Sequence, residues 1–173
     1  KPPALEEDRT YSGEEILTLM LNQRSYRCSP CIHFIRFEAI ELFNICFFPG
    51  IIHEDELFTA LLYLQASRAG YINNAFFKRR FRGDSVMTRR YSIKNVNSYL
   101  VVVDQLRNFS NRDNSKSTCL VNRLVKYILD PNIYKANTLP FKDRIFIFKH
   151  CLDKGYLKYL SLKSVVVLLF PLA

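Results

Sequence analysis

The densest run of chemistry-bearing residues is cationic. Lys78, Arg79, Arg80 and Arg82 are followed by Arg89, Arg90 and Lys94, with Asp84 alone opposing them. Phe76, Phe77, Phe81 and Tyr91 are interleaved. The planar fork of arginine suits phosphate oxygens, and rings or guanidinium planes stack on unpaired bases. On a helix, Lys78 and Arg82 share a face as i,i+4 neighbours, with Arg79 beside them. Each phosphate contacted adds about −0.7 to the slope of log affinity against log salt on single strands. The plainer alternative is a solvated basic face. A second, looser set comprises Arg107, Arg112, Lys116, Arg123 and Lys126, of which Arg123 and Lys126 are assigned to the same RNA-binding surface. Lys154, Lys158 and Lys163 form a third.

Cys28-Ser29-Pro30-Cys31, with His33 close by, is a C-x-x-C arrangement. Structural zinc takes four tetrahedral ligands, and the chain offers no second C-x-x-C or H-x-x-x-H to complete the set. A redox role calls for a βαβ context, which the pattern does not provide. The two cysteines therefore read as thiols without a metal, although a site shared with another chain stays open. His150 precedes Cys151, but adjacent residues point to different sides of a helix and make no dyad. His53 and His150 read as structural. Glu54, Asp55 and Glu56 are placed as acids that complement a helix dipole. Phosphate-cradling glycine loops, nucleophile elbows and zinc-protease motifs are absent from the sequence. The expectation is a protein that is not an enzyme and carries no cofactor or metal.

The elements holding these residues belong to a chain of 173 residues, the length of one domain or one short array. Hydrophobic residues make up 49% and charged residues 24%, the balance of a globular protein and not a disordered one. The net charge of +9 and a pI near 9.4 make a polyanion the leading partner class. The first fifteen residues are acidic, so the basic character belongs to the body. Five cysteines, an odd number lying mostly in apolar stretches, point to a reducing or neutral compartment and not to a disulfide-stapled secreted domain. The start at Lys1 fits a processed product, a fragment or part of something longer, and a missing presequence fits an organelle import product. Apolar runs near 40–52 and 165–172 are interrupted and too short for the ~20 residues of a membrane span.

Residues 1–11 read as an extended arm ahead of a helical domain over 12–173. Ser12-Gly13-Glu14-Glu15 is a capping box with Tyr11 and Ile16 as its staple, predicting a helix to about Arg24. Apolar periodicity predicts helix over Ile32–Phe48, ended by Pro49-Gly50. A helix follows from Glu54, with Gly70 as its C-cap, then a short basic-aromatic helix over Asn74–Phe81. Helices are expected over Asn95–Phe109 and Lys116–Leu129, separated by a polar loop over Asn108–Ser117 and stopped by Asp130-Pro131. Pro140 opens a helix to Gly155, and a last one runs over Lys158–Phe170, where helix is preferred over strand despite Val165-Val166-Val167.

Two of these helices end in similar corners, Gly70-Tyr71-Ile72-Asn73 and Gly155-Tyr156-Leu157. Successive helix pairs start roughly 40 residues apart, the spacing of helical repeats. The pattern resembles the degenerate repeats of organelle RNA-binding proteins: the octotricopeptide, heptatricopeptide and FAST-kinase-like families. The resemblance covers about residues 55–170, rests on Gly70, Tyr71, Asn73, Gly155 and Tyr156, and is not matched by the middle pair. It implies an array in a mitochondrion or plastid that acts on RNA. A single non-repetitive α-domain is the competing reading.

The fold expected is all-α, with antiparallel helix pairs stacked as a short α-solenoid. The function expected is RNA binding as a structural subunit of a mitochondrial ribosome or related ribonucleoprotein. The partners expected are RNA, by this reading rRNA, and neighbouring subunits met through apolar patches around Phe43, Phe47 and Phe48. The second expectation is a protein–protein adaptor. Phe34–Tyr63 looks like a cyclin-type helix pair, but the segment after it turns arginine-rich.

Overall fold

The structure is a computed structural model and describes residues 4–78, 80, 90–113 and 117–170. Among these are seven α-helices: α1 (Gly13–Asn22), α2 (Phe37–Leu42), α3 (Glu54–Gln65), α4 (Ile93–Asp113), α5 (Ser117–Tyr134), α6 (Phe141–Asp153) and α7 (Leu162–Leu169). Short 3-10 turns precede α2 and α7 and follow α5. The chain is all-α. Its helices pack as the pairs α1–α3, α4–α5 and α6–α7, stacked through α3 on α4 and α5 on α7. No described helix is long and apolar enough to cross a membrane.

The capping box forms as read: the Ser12 hydroxyl accepts from the Glu15 amide, and Glu15 accepts from the Ser12 amide. Tyr11 and Ile16 are both buried. Gly13 lies so close to the end of α3 that an added Cβ would overlap the Tyr63 carbonyl oxygen. Its amide donates to Ala66 O at 2.8 Å. Ahead of α1, Tyr11 and Ala69 exchange backbone hydrogen bonds of 2.8 and 2.9 Å, tying the arm to the segment after α3.

The core follows the helical period. On α5 the residues Leu120, Val121, Leu124, Val125, Ile128 and Ile133 are buried on one face. They meet Val96, Val103 and Leu106 of α4, Leu17 of α1 and Ile147 of α6 in one continuous cluster. A smaller cluster of Ile45, Phe58 and Leu62 lies under α2.

Several boundaries differ from expectation. Only Phe37–Leu42 of the 32–48 segment is α-helical, because the chain reverses at Asn44. Asn44 takes φ +49°, its amide bonds Glu41 O, and the Ile45 amide bonds Ile40 O. That is a Schellman turn, and asparagine is the non-glycine residue that tolerates it best. α3 ends at Gln65 with Ala66 as cap, so Gly70 caps nothing, whereas Gly155 at φ +68° closes α6 as read. The two Gly-Tyr corners are therefore built differently: Tyr156 is fully buried and Tyr71 only partly. Residues 71–78 are not helical, so the basic-aromatic helix does not form there; Arg79 and 81–89 lie outside the described residues.

Where a loop is expected from Asn108, α4 continues to Asp113; residues 114–116 lie outside the described residues. α5 passes through Pro131 to Tyr134. Proline there removes one N–H that would have bonded the carbonyl four residues back. The turn is held because Asn132 and Ile133 are buried, Asn132 Nδ2 donates to Ile128 O at 2.8 Å, and Tyr91 OH donates to Asn132 O at 2.7 Å. The last helix is a 3-10 turn at Leu157–Tyr159, then α7 with Ser161 as its cap.

Candidate nucleic-acid interface

Lys78 and Arg80 lie in the irregular chain after α3, and Arg90 and Lys94 lie at the entrance to α4; all four are exposed. Arg79, Arg82 and Arg89 lie outside the described residues. Asn95 shapes the entrance by accepting from the Ser92 amide at 2.9 Å. The first turn of α4 holds no acid, in contrast to Glu14 and Glu15 on α1 and Glu54, Asp55 and Glu56 on α3. A cation at a helix N-terminus adds to the positive end of the dipole instead of offsetting it. Among the described residues the single ion pair is Arg9–Glu15, at 3.7 Å.

Arg123 and Lys126 are exposed on α5. Arg123 Nη2 donates to Asn22 Oδ1 at 2.5 Å, and the side chain shares a shallow groove with Arg9, Glu14 and Glu15. Acids line the groove beside Arg123, and none of Arg123, Lys126 and the four cations from Lys78 to Lys94 has a carboxylate partner among the described residues. Tyr91 meets Asn132, nine positions past Arg123 on α5, or about 13 Å along the axis. The two sets are therefore separated along the array.

Arg107 is committed to structure. Its Nη1 donates to Lys154 O at 3.0 Å, and its guanidinium lies over Tyr156, whose hydroxyl donates to Asp104. Arg144, which charge counting does not single out, is buried between α6 and α7. It donates to Val167 O and Phe170 O, both at 2.9 Å, a cation on the carbonyl end of α7.

The C-x-x-C pair is split by environment. Cys31 is exposed, while Cys28 is half-buried against α3 and donates weakly to Asp55 Oδ2 at 3.6 Å. Burial and the neighbouring Glu56 and Asp55 carboxyls push the Cys28 thiol up, so it stays protonated. Glu56 Oε2 is buried without a hydrogen-bond partner, and burial raises that carboxyl to about 7. His33 bridges Ser29 O at 3.0 Å and Tyr63 OH at 2.7 Å, and burial lowers its pKa. His53 stacks on Tyr99 with centroids 4.1 Å apart. No described group of three or more His, Cys, Asp or Glu is placed to hold a metal ion. Burial pushes Cys151 up to about 12, far from a nucleophile's range. Cys46 and Cys119 are exposed, although most of the cysteines lie in apolar stretches of the sequence.

Sequence reasoning missed a surface assembled from two distant segments. Phe34 and Phe76 face each other with centroids 4.7 Å apart, and Leu42 is 80% exposed. The only signal for it was the excess of phenylalanine around residues 34–48. Compared with family models, curated proteins and solved structures, the chain matches none.

Proposed function

We propose that this chain is an RNA-binding structural subunit of a ribonucleoprotein. The reading extends to rRNA as the ligand and a mitochondrial ribosome as the assembly, and it assigns no catalysis. One observation carries it: Lys78, Arg80, Arg90 and Lys94 are exposed and lack carboxylate partners among the described residues, in a chain of net charge +9. Cations left unneutralised by their own protein release counterions from a phosphate backbone when they bind it. The paired helices fix α4, and hence Lys94, against α5.

The test is replacement of Lys78, Arg80, Arg90 and Lys94 by alanine, with RNA binding followed by filter retention. All four are exposed, so the fold is expected to survive, as thermal melting will check. Affinity is expected to fall, with a shallower salt dependence. Unchanged affinity removes these residues from the interface.

A helical adaptor is the second reading. The exposed rings around α2 favour it, because a patch of that kind on a monomer marks a partner surface.

A further inference from the structure

A groove of about 970 Å³ runs between the segment leading into α2 and the chain after α3. Its walls carry Phe34, Leu42, Ile72 and Phe76, and Leu62 and Ala66 of the α3 end line it as well. Phe34 is 78% exposed. α2, one flank of the groove, has no buried residue at all. Water therefore covers a set of side chains that would normally be core.

The charges around it are one-sided. Arg27, Arg36 and Arg68 line the groove and are exposed, and Glu38 is the one acid among its lining residues. None of the three arginines has a carboxylate partner among the described residues; Arg27 donates only to Tyr26 O, at 3.4 Å. Arginine gains most from a carboxylate it can grip with two parallel hydrogen bonds. An occupant that is apolar on one side and anionic on the other satisfies both halves of the surface.

Three occupants differ in how they meet these facts. A second copy in a two-fold arrangement would bring the same three arginines and only Glu38 as an acid, leaving the joint face cationic. An unpaired RNA base needs an open ring face. Here the lining mixes rings with aliphatic side chains, and the facing pair Phe34 and Phe76 already pack on each other, tilted by 39°. A protein segment with alternating apolar and acidic faces meets no such obstacle, and grooves of this kind take such segments through spaced apolar anchors.

We propose that this groove docks an acidic amphipathic segment of a partner protein. Its apolar side chains sit between Phe34, Leu42 and Phe76, and its carboxylates rest on Arg27, Arg36 and Arg68. The groove abuts the basic run, since Phe76 and Phe77 line it just before Lys78, but it uses none of Lys78, Arg80, Arg90 and Lys94, and the proposal holds whether or not the chain binds RNA.

The experiment is selection of displayed random peptides on the full chain, with the Phe34→Ser/Leu42→Ser double variant as counter-selection. Both positions are exposed, so the variant is expected to keep its fold, and circular dichroism melting checks this. The expected result is enrichment of peptides that mix Asp or Glu with Leu, Ile or Phe. A synthetic copy of an enriched peptide is expected to bind the double variant about tenfold more weakly or worse, the loss of buried interface anchors. Arg36→Glu/Arg68→Glu is expected to turn the preference toward Lys- and Arg-bearing peptides. No enrichment over the counter-selection, or enrichment without acidic bias, overturns the proposal. So does a dimer in sedimentation that Phe34→Ser/Leu42→Ser dissolves. An oligouridylate probe separates this idea from the RNA reading: the double variant is expected to bind it as the parent does. Selective loss of oligouridylate binding in that variant makes the groove an RNA site and overturns the proposal. A parent that binds peptide but no oligouridylate sinks the RNA reading alone.

Discussion

The segment carrying α2 is more apolar in sequence than the pair α4–α5, yet it is the pair that ends buried. Leu124 on α5 is fully buried, and Leu42 at the end of α2 is 80% exposed. The difference lies in length and continuity. α4 and α5 run for 21 and 18 residues, long enough to repeat an apolar stripe over several turns and bury it against two neighbours. α2 stops after 6 residues at the Asn44 reversal, so only Ile40 of the helix packs on the Phe58–Leu62 side of α3 and no α2 residue is fully buried. Stability therefore resides in the α4–α5 pair, and the α2 region presents apolar surface held in place by the small cluster of Ile45 with Phe58 and Leu62 of α3.

The largest effect that would break this comparison is a matched pair of truncations. Leu124→Ala is expected to cost about 2–5 kcal/mol by denaturant unfolding, the range for a buried leucine with its cavity. Leu42→Ala is expected to stay within about 0.5 kcal/mol, as surface changes do. Equal costs would show that the exposed face is packed in the free chain.

A smaller effect sharpens the boundary between the two regions, where α3 meets the segment around Cys28. The Glu56 carboxyl is raised by burial from 4.5 to about 7. Below pH 4.5 the group is neutral in both folded and unfolded chains and contributes nothing to pH dependence. As pH rises from 4.5 to 7 the unfolded carboxyl ionises first, so stability falls. Above 7 the loss is complete. Glu56→Gln is expected to flatten that fall and to stabilise the protein at pH 8 by up to about 3 kcal/mol, since stability changes by about 1.4 kcal/mol for each pH unit crossed between the two titrations. Unfolding curves at pH 5 and pH 8 for both proteins check it; a parallel fall in the variant would assign the pH dependence elsewhere.

The smallest effect concerns the end of α1. Arg24 takes φ +52° at the position glycine fills in such turns, with the Ser25 amide bonding Met20 O at 2.9 Å. Arg24→Gly is expected to stabilise the chain by about 1 kcal/mol, the left-handed penalty of a side-chain-bearing residue less the entropy of glycine. A drop in melting temperature would contradict this.

These residues also show what the sequence reveals. Ser12 and Glu15 are legible because a capping box is local: both partners and the helix they start lie within four positions. The buried face of α5 is legible because its period repeats. Arg24 and Pro131 mislead because each violates a local preference, and Asn44 misleads because the apolar period runs on past the turn it makes. Arg24 and Asn44 accept left-handed backbone to close their helices, and Pro131 stays helical because Asn132 and Ile133 are buried. Arg144 is invisible as a structural cation because its carbonyl partners lie more than twenty residues away. Cations such as Lys78 and Lys94 are exposed as the sequence suggests, since nothing apolar competes for them. The groove escapes notice for the opposite reason: Phe34 and Phe76 meet only in the fold.

The most direct measurement is a salt titration of RNA affinity on the full chain. If the cations from Lys78 to Lys94 neutralise phosphates, log affinity falls linearly with log salt, with a slope of about −3 for four single-strand contacts and steeper for more. Binding that is absent at low salt, or that does not change as salt rises, contradicts the account.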